Sequence, residues 1–478
     1  MNAKAAAWVA LALLCTLGTV AALLRSAYFT NPVYLGGLVF LELVLAAAFN
    51  YRKRFLPVLL LAFCLAGMAV PFNGVFTSGR WVVLGMGALV GYVLYMKEQP
   101  HTFSIFHLNA FFCVVAAAVS SMVSSFPLMS FAKTASLLLL FLYTCSGARL
   151  AINTQEERFF GGLLAAIEIT VYATALAYFG LQLAIFGNPN SLGAVMGVVG
   201  EPLLLWGTFT AEKGTPLRRR RIVALIVALI LLFFSRSRSG ILAALVASFM
   251  LAIFARRRRL LVQMSAAVLV TAAIAILVTP SESDNVDIPT KPTDSSVESF
   301  YLYKGKVEGG ILGSRRSPWQ DAMASIHENP WFGTGFGTAS NESDEAVEVG
   351  MYSSNSRTTR EHGNSFLAIL ESVGLLGVIP FASLVLLLII QVGRAWTTLA
   401  RTGRMRDYAV PLALVSTAGL VNACFEDWLF AVGYYLCVVF WIFAFALSDY
   451  LPKQAVLPQM RPAPPWVLDS VHGVLEET

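Results

Sequence analysis

Residues 218–259 read RRRRIVALIVALILLFFSRSRSGILAALVASFMLAIFARRRR. Two apolar runs without a single charge stand back to back, joined by Ser235-Arg236-Ser237-Arg238-Ser239-Gly240 and bracketed by the quartets Arg218–Arg221 and Arg256–Arg259. A bilayer-spanning helix needs about 20 mostly apolar residues, and each run with its flanks comes close to that length. Arginine clusters flanking spans stay on the cytoplasmic side. The two quartets therefore face inward, and the serine–arginine turn faces out.

Working outward from this hairpin, the same character extends over the chain. Of 478 residues, 57% are hydrophobic and 13% charged, with a mean hydropathy of +0.69. Soluble domains average about 25% charged residues, so an ordinary globular enzyme is excluded, and an aromatic content of 12% excludes disorder. The expected fold is an all-α, polytopic integral membrane protein of about 12–14 transmembrane helices. Fourteen candidate spans lie near 5–24, 33–49, 55–70, 81–96, 105–124, 128–146, 159–183, 191–210, 222–235, 239–255, 260–279, 365–392, 408–424 and 429–447. The first is too long for a signal-peptide core and lacks a small-residue cleavage site before Arg25, so it is expected to be retained.

Charge placement tests the count. With a cytoplasmic N-terminus, the inner segments collect 22 of the 34 basic residues and the short outer loops only four: Arg25, Arg80, Arg236 and Arg238. A wrong register would destroy that asymmetry. Both termini are then cytoplasmic. The expected divisions are an N-terminal transmembrane bundle (1–187), transmembrane helices bearing the outward arginine turn at 235–240 (188–279), a large outer loop (280–364), C-terminal transmembrane helices (365–447) and a cytoplasmic tail (448–478). The outer loop carries seven basic residues against thirteen carboxylates, so it is no polybasic lipid-binding segment. Within it, Ser317 as N-cap, Pro318 at the first helical position and Gln320 predict a capping box, with a short helix over about 318–328 that stops at Asn329-Pro330. No internal or inverted repeat marks a carrier. The six cysteines include no CxxC pair, and they read as small apolar core residues.

Four charges fall within spans: Glu42, Lys133, Glu168 and Glu201. Each costs at least about 2.5 kcal/mol at mid-bilayer. They either pair with one another or line a cavity. Arg236 and Arg238 work against the topology signal on the outer face; they either snorkel to headgroups or bind an anionic ligand, for which guanidinium forks are well shaped. A second basic pair, Arg315-Arg316, precedes the outer helix. After that helix comes Trp331-Phe332-Gly333-Thr334-Gly335-Phe336-Gly337, either a plain turn or an anion nest of backbone amides. His362 lies where the outer loop re-enters the membrane, and imidazole is the side chain best suited to proton transfer near neutral pH. It is either structural or a site residue sharing the outer face with the arginines.

His362-x-Asn-Ser-Phe-Leu-x-x-x-Leu-Glu371-x-x-Gly374-x-x-Gly377 resembles the closing motif of the O-antigen ligase and polymerase superfamily. The turn Ser237-Arg238-Ser239-Gly240 is similar to the opening motif of its domain. Arg315, four residues before Trp319, and the following Asn329-Pro330-Trp331-Phe332-Gly333-Thr334-Gly335 match its large-loop pattern; Asn188-Pro189-Asn190-Ser191 is similar to a further family element. The motif-bearing part covers about 188–380.

This resemblance implies a glycosyltransferase of the Gram-negative inner membrane, working at the periplasmic face with one large periplasmic loop that contains short helices. The donor would be O-antigen on undecaprenyl pyrophosphate and the acceptor the lipid A core; membrane lipids are the remaining partners, and nucleic acid is not one. The family needs no metal and no cofactor. Arg238 and Arg315 would then stabilise the pyrophosphate leaving group, with Arg236 and Arg316 as neighbours, and His362 would act as general base or orient the acceptor, inverting the anomeric centre. Glu371 is either part of that site or a packing residue. An O-antigen polymerase or a protein-glycosylating oligosaccharyltransferase of the same superfamily shares these features, and a flippase or transporter is the reading from another class.

Overall fold

The computed structural model of the chain describes residues 32–68, 73–97, 103–256, 313–338 and 363–451. Every regular element among them is helical. The first and eleventh expected spans (5–24 and 260–279) and the tail lie outside the described residues, as do His362, Arg357 and Arg360.

Apolar runs with few helix breakers produce the helices, and prolines or small polar residues at their first turns start them. In chain order they are α1 Pro32–Phe49, α2 Leu56–Ala66, α3 Asn73–Lys97, α4 Ile105–Met122, α5 Pro127–Tyr143 and α6 Arg149–Thr154. There follow α7 Glu156–Ala175, α8 Pro189–Val195, α9 Glu201–Thr210, α10 Pro216–Phe234 and α11 Arg238–Phe254. The outer helix is α12 Gly313–Glu328, and the C-terminal group is α13 Ser365–Thr402, α14 Ala409–Ala423 and α15 Tyr435–Tyr450. Single π-turns join α5 to α6 (Thr144–Ala148) and α8 to α9 (Met196–Gly200), so each pair continues as one span. Six of the described helices are long and apolar enough to cross a bilayer: Gly74–Lys97, Ile105–Met122, Pro127–Thr154, Glu156–Gly180, Pro189–Thr210 and Ser365–Thr402. The chain is thus an all-helical polytopic membrane protein.

Burial separates inner helices from the lipid-facing ring. Along α14 and α15 nearly every residue is buried, with Phe440, Trp441, Phe443 and Phe445 packed at the centre. By contrast α4, α10 and α13 expose rows of large apolar side chains such as Phe111, Phe112, Ile226, Phe233, Ile379 and Ile389. Such stripes suit contact with acyl chains, which are as apolar as leucine.

The bundle has two polar ends. At the end expected to face the cytoplasm, the buried Arg149 makes a bidentate ion pair with Asp449. The Arg149 guanidinium lies 2.8 Å from His107 Nε2, and Asn153 donates to Asp449 at 2.9 Å. Glu168 is paired with Arg220 at 2.6 Å and lies 3.8 Å from Arg221. Of the intramembrane charges, Glu168 is therefore an ion-pair partner, while Glu201 accepts a hydrogen bond from Ser248 at 2.6 Å. Glu42 is half-buried on α1, and Lys133 serves the opposite end.

The outer helix corrects one expectation. The chain is already helical at Gly313, the first described residue of this segment, so Pro318 stands inside the helix and Ser317 is not its cap. The stop at Asn329-Pro330 is as expected.

Candidate active site

The serine–arginine turn is built by alternation. Ser235, Ser237 and Ser239 are buried, and Arg236 and Arg238 between them are exposed. Ser235 Oγ donates to the Leu232 carbonyl at 2.7 Å and closes α10. Ser237 caps α11, its hydroxyl accepting the amide of Gly240 at 3.3 Å. Arg238 is consequently the first residue of α11. Arg236 sits at φ +47, in the left-handed region that L-residues rarely adopt.

The Asn188-Pro189-Asn190-Ser191 element packs onto this turn. Asn188 caps α8 by accepting the amide of Asn190 at 2.8 Å. One turn on, a Cβ at Gly193 would stand 2.1 Å from Ser237 Cβ, and one at Gly197 would stand 2.2 Å from the Gly240 carbonyl. Glycines four apart let two backbones touch, so α8 and α11 cross at their outer ends.

A second junction joins the outer loop to α13. This helix is broken at Gly374, whose φ of +68 and ψ of −176 are not helical. The break frees carbonyls above it and amides below it, and residues 330–335 satisfy both. Thr334 N–H donates to the Glu371 carbonyl at 3.0 Å and Gly335 N–H to Ser372 at 3.1 Å; Leu375 and Leu376 donate to the carbonyls of Pro330 (2.8 Å) and Trp331 (3.2 Å). Irregular backbone at membrane depth persists only where protein buries and pairs it. The hairpin of α4 and α5 secures the loop from below. Ser120 Oγ donates to the Ser372 carbonyl at 2.5 Å, Ser130 Oγ to Phe336 at 3.1 Å, and Lys133 to the Gly337 carbonyl. Ser124 Oγ lies 2.9 Å from Thr338 Oγ1. The anion-nest reading of this loop is thereby corrected: the amides of Gly333, Thr334 and Gly335 are all committed to protein carbonyls. Lys133 is a cap on this loop.

The two junctions meet through the turn between α14 and α15. Ser239 Oγ donates to Glu426 Oε1 at 3.3 Å. Ser365 Oγ donates to the Glu426 carbonyl at 2.5 Å and accepts the amide of Leu429 at 3.1 Å. Asn364, just before it, caps α13 by accepting the amides of Phe366 and Leu367 at 2.9 and 3.2 Å. At the same end Arg80 donates to the Gly433 carbonyl at 2.6 Å. The N-termini of α11 and α13, each the positive end of a helix dipole, are thus tied to one residue.

Of the site residues expected from sequence, Arg236 and Arg238 stand at this end. Arg315 and Arg316 lie on α12, and the loop that leaves its C-terminal end is clamped to α13. Beyond their backbone the structure does not describe them. His362 lies outside the described residues, three positions before Ser365. Sequence reasoning missed Glu426. The signal was there: two carboxylates, Glu426 and Asp427, in a short outer turn between two apolar spans.

No curated protein matches the chain. The family model for O-antigen ligase matches residues 223–382, a segment that opens within α10 and closes within α13 and so contains the serine–arginine turn, the outer helix and the broken helix. The match points to a ligase- or polymerase-type glycosyltransferase.

Proposed function

Because residues 223–382 carry the O-antigen ligase domain, we propose that this protein transfers O-antigen polysaccharide from undecaprenyl pyrophosphate to the lipid A core at the periplasmic face of the inner membrane. The observation that carries this reading is the tie through Glu426, which joins the end of α11 bearing Arg238 to the entry of α13 that follows His362.

The chemistry needs two things at that end. As the acceptor hydroxyl oxygen bonds to the anomeric carbon, the bond from that carbon to the phosphate oxygen breaks, and undecaprenyl pyrophosphate departs with the bonding pair. Fixed cations contribute most where such charge develops. Arg238 and Arg315 take that role, with Arg236 and Arg316 beside them. The hydroxyl proton passes to His362, the general base. Attack from the face opposite the leaving group inverts the anomeric centre. No metal is required, so excess chelator should leave turnover unchanged.

The deciding experiment supplies purified protein in lipid nanodiscs with an undecaprenyl-pyrophosphate-linked oligosaccharide and, separately, lipid A core, a second lipid-linked oligosaccharide or a pilin. Product on lipid A core is the expected result. Product only on the second lipid-linked glycan makes the protein a polymerase, and product only on pilin makes it an oligosaccharyltransferase. Movement of labelled glycan across the bilayer with no new glycosidic bond would overturn the enzyme reading.

A further inference from the structure

Glu426 lies beyond the segment that matches the ligase family, in the turn between α14 and α15. It uses its two ends differently. Its carboxylate takes the hydroxyl of Ser239, the residue after Arg238, while its main-chain carbonyl takes the hydroxyl of Ser365. The partners belong to α11 and α13, 187 and 61 positions away in sequence. A carboxylate at the first turn of α11 also complements the dipole of that helix.

We propose that Glu426 is a positioning residue for the transfer reaction, holding the Arg238 end of α11 in register with the His362 entry of α13. The proposal rests on the reading of the site given above. Glu426 need not touch either substrate: it acts through Ser239, which fixes the first turn of α11 and with it the direction in which Arg238 leaves the helix. Because the Ser365 bond uses main chain, replacing the side chain severs the α11 tie and leaves the α13 tie in place.

The test compares kcat per folded, monodisperse full-length protein for Glu426→Ala, Glu426→Gln, Ser239→Ala and the double variant Glu426→Ala/Ser239→Ala, with the lipid-linked oligosaccharide as donor. A misplacement of a charge-stabilising group by a fraction of an ångström lowers kcat about tenfold, and that is the loss expected for Glu426→Ala. Glu426→Gln keeps an acceptor oxygen for Ser239 and should recover most of the rate. Ser239→Ala should reproduce the loss, and the double variant should be no slower than either single one, because all three sever one link. Turnover of Glu426→Ala within twofold of wild type, a glutamine variant as slow as the alanine one, or losses that multiply in the double variant would each overturn the proposal. Parallel Arg238→Ala and His362→Ala variants separate the outcomes. If those two keep full turnover, the reading of the site fails; if they lose it while Glu426→Ala does not, only the positioning role fails.

Discussion

Arg236 and Arg238 illustrate how one hexapeptide can serve packing and chemistry at once. The serines turn inward and close two helices, so the arginines between them have only the outside to occupy. For Arg236 this comes with a left-handed backbone, at a cost of about 1 kcal/mol for any residue bearing a Cβ. Strain of that kind often marks functional positions. Two variants separate backbone from side chain: Arg236→Gly and Arg236→Ala both lose the guanidinium, yet the glycine variant should unfold at the higher temperature, since only it accepts φ +47 without penalty. Equal melting temperatures in detergent would remove the strain argument. At Arg238 the guanidinium itself is the point. Lysine keeps the charge but loses the planar fork, so Arg238→Lys should lower kcat at least tenfold, in line with loss of a charge-stabilising donor; wild-type turnover would mean that Arg238 only snorkels to headgroups. The exposure of the two arginines was legible in the sequence, because charge between two apolar runs is conspicuous. Glu426 was not, because its partners are hydroxyls 61 and 187 positions away and no local pattern links them.

At the scale of elements the broken helix is the central device. Gly374 and Gly333 are needed twice over, for positive φ and for contact: a Cβ on Gly374 would stand 2.5 Å from the Trp331 carbonyl carbon, and one on Gly333 would stand 2.5 Å from the Glu371 carbonyl. Gly374→Ala should therefore cost about 2 kcal/mol or more, from left-handed strain together with overpacking, and should release the 330–338 loop and α12 from α13. Thermal unfolding would report the first effect and protease cleavage near Trp331 the second. Gly393 lies further along the same helix with nothing within 4 Å of its Cβ position. Gly393→Ala is the control: its effect should be neutral or favourable by up to about 1 kcal/mol, from helix propensity alone. Comparable damage from both substitutions would show that the clamp is not what matters. Hydropathy reads 365–392 as one uninterrupted span because periodicity registers which side chains are apolar and is blind to φ. The same blindness left the glycine loop open between a plain turn and an anion nest, when its amides complete the backbone of a helix broken at Gly374.

Over the whole molecule, charge placement and packing agree on a division between ends. The arginine quartets and the scarcity of basic residues in the other short loops give the spans an expected direction, because each misplaced charge costs kilocalories that a chain avoids. The structure adds that the two ends hold different kinds of polar network. One is closed: Arg149, Asp449, His107 and Asn153 satisfy each other within the bundle. The other joins hydroxyls and main chain to the Glu426 carboxylate and the Lys133 ammonium, and leaves Arg236 and Arg238 exposed. A closed network should act on stability and an open one on turnover. Asp449→Ala strands the buried Arg149 guanidinium, and breaking a buried pair on one side costs about 3–5 kcal/mol, so the variant should melt well below wild type while its remaining folded fraction keeps normal kcat. His362→Ala should do the reverse, folding and inserting normally while transfer is abolished. Melting temperature and kcat per folded protein, measured on both variants, decide the matter. A loss of kcat in folded Asp449→Ala would mean that the far end is coupled to the reaction through the span of α4 to α6, and the separation argued here would fall.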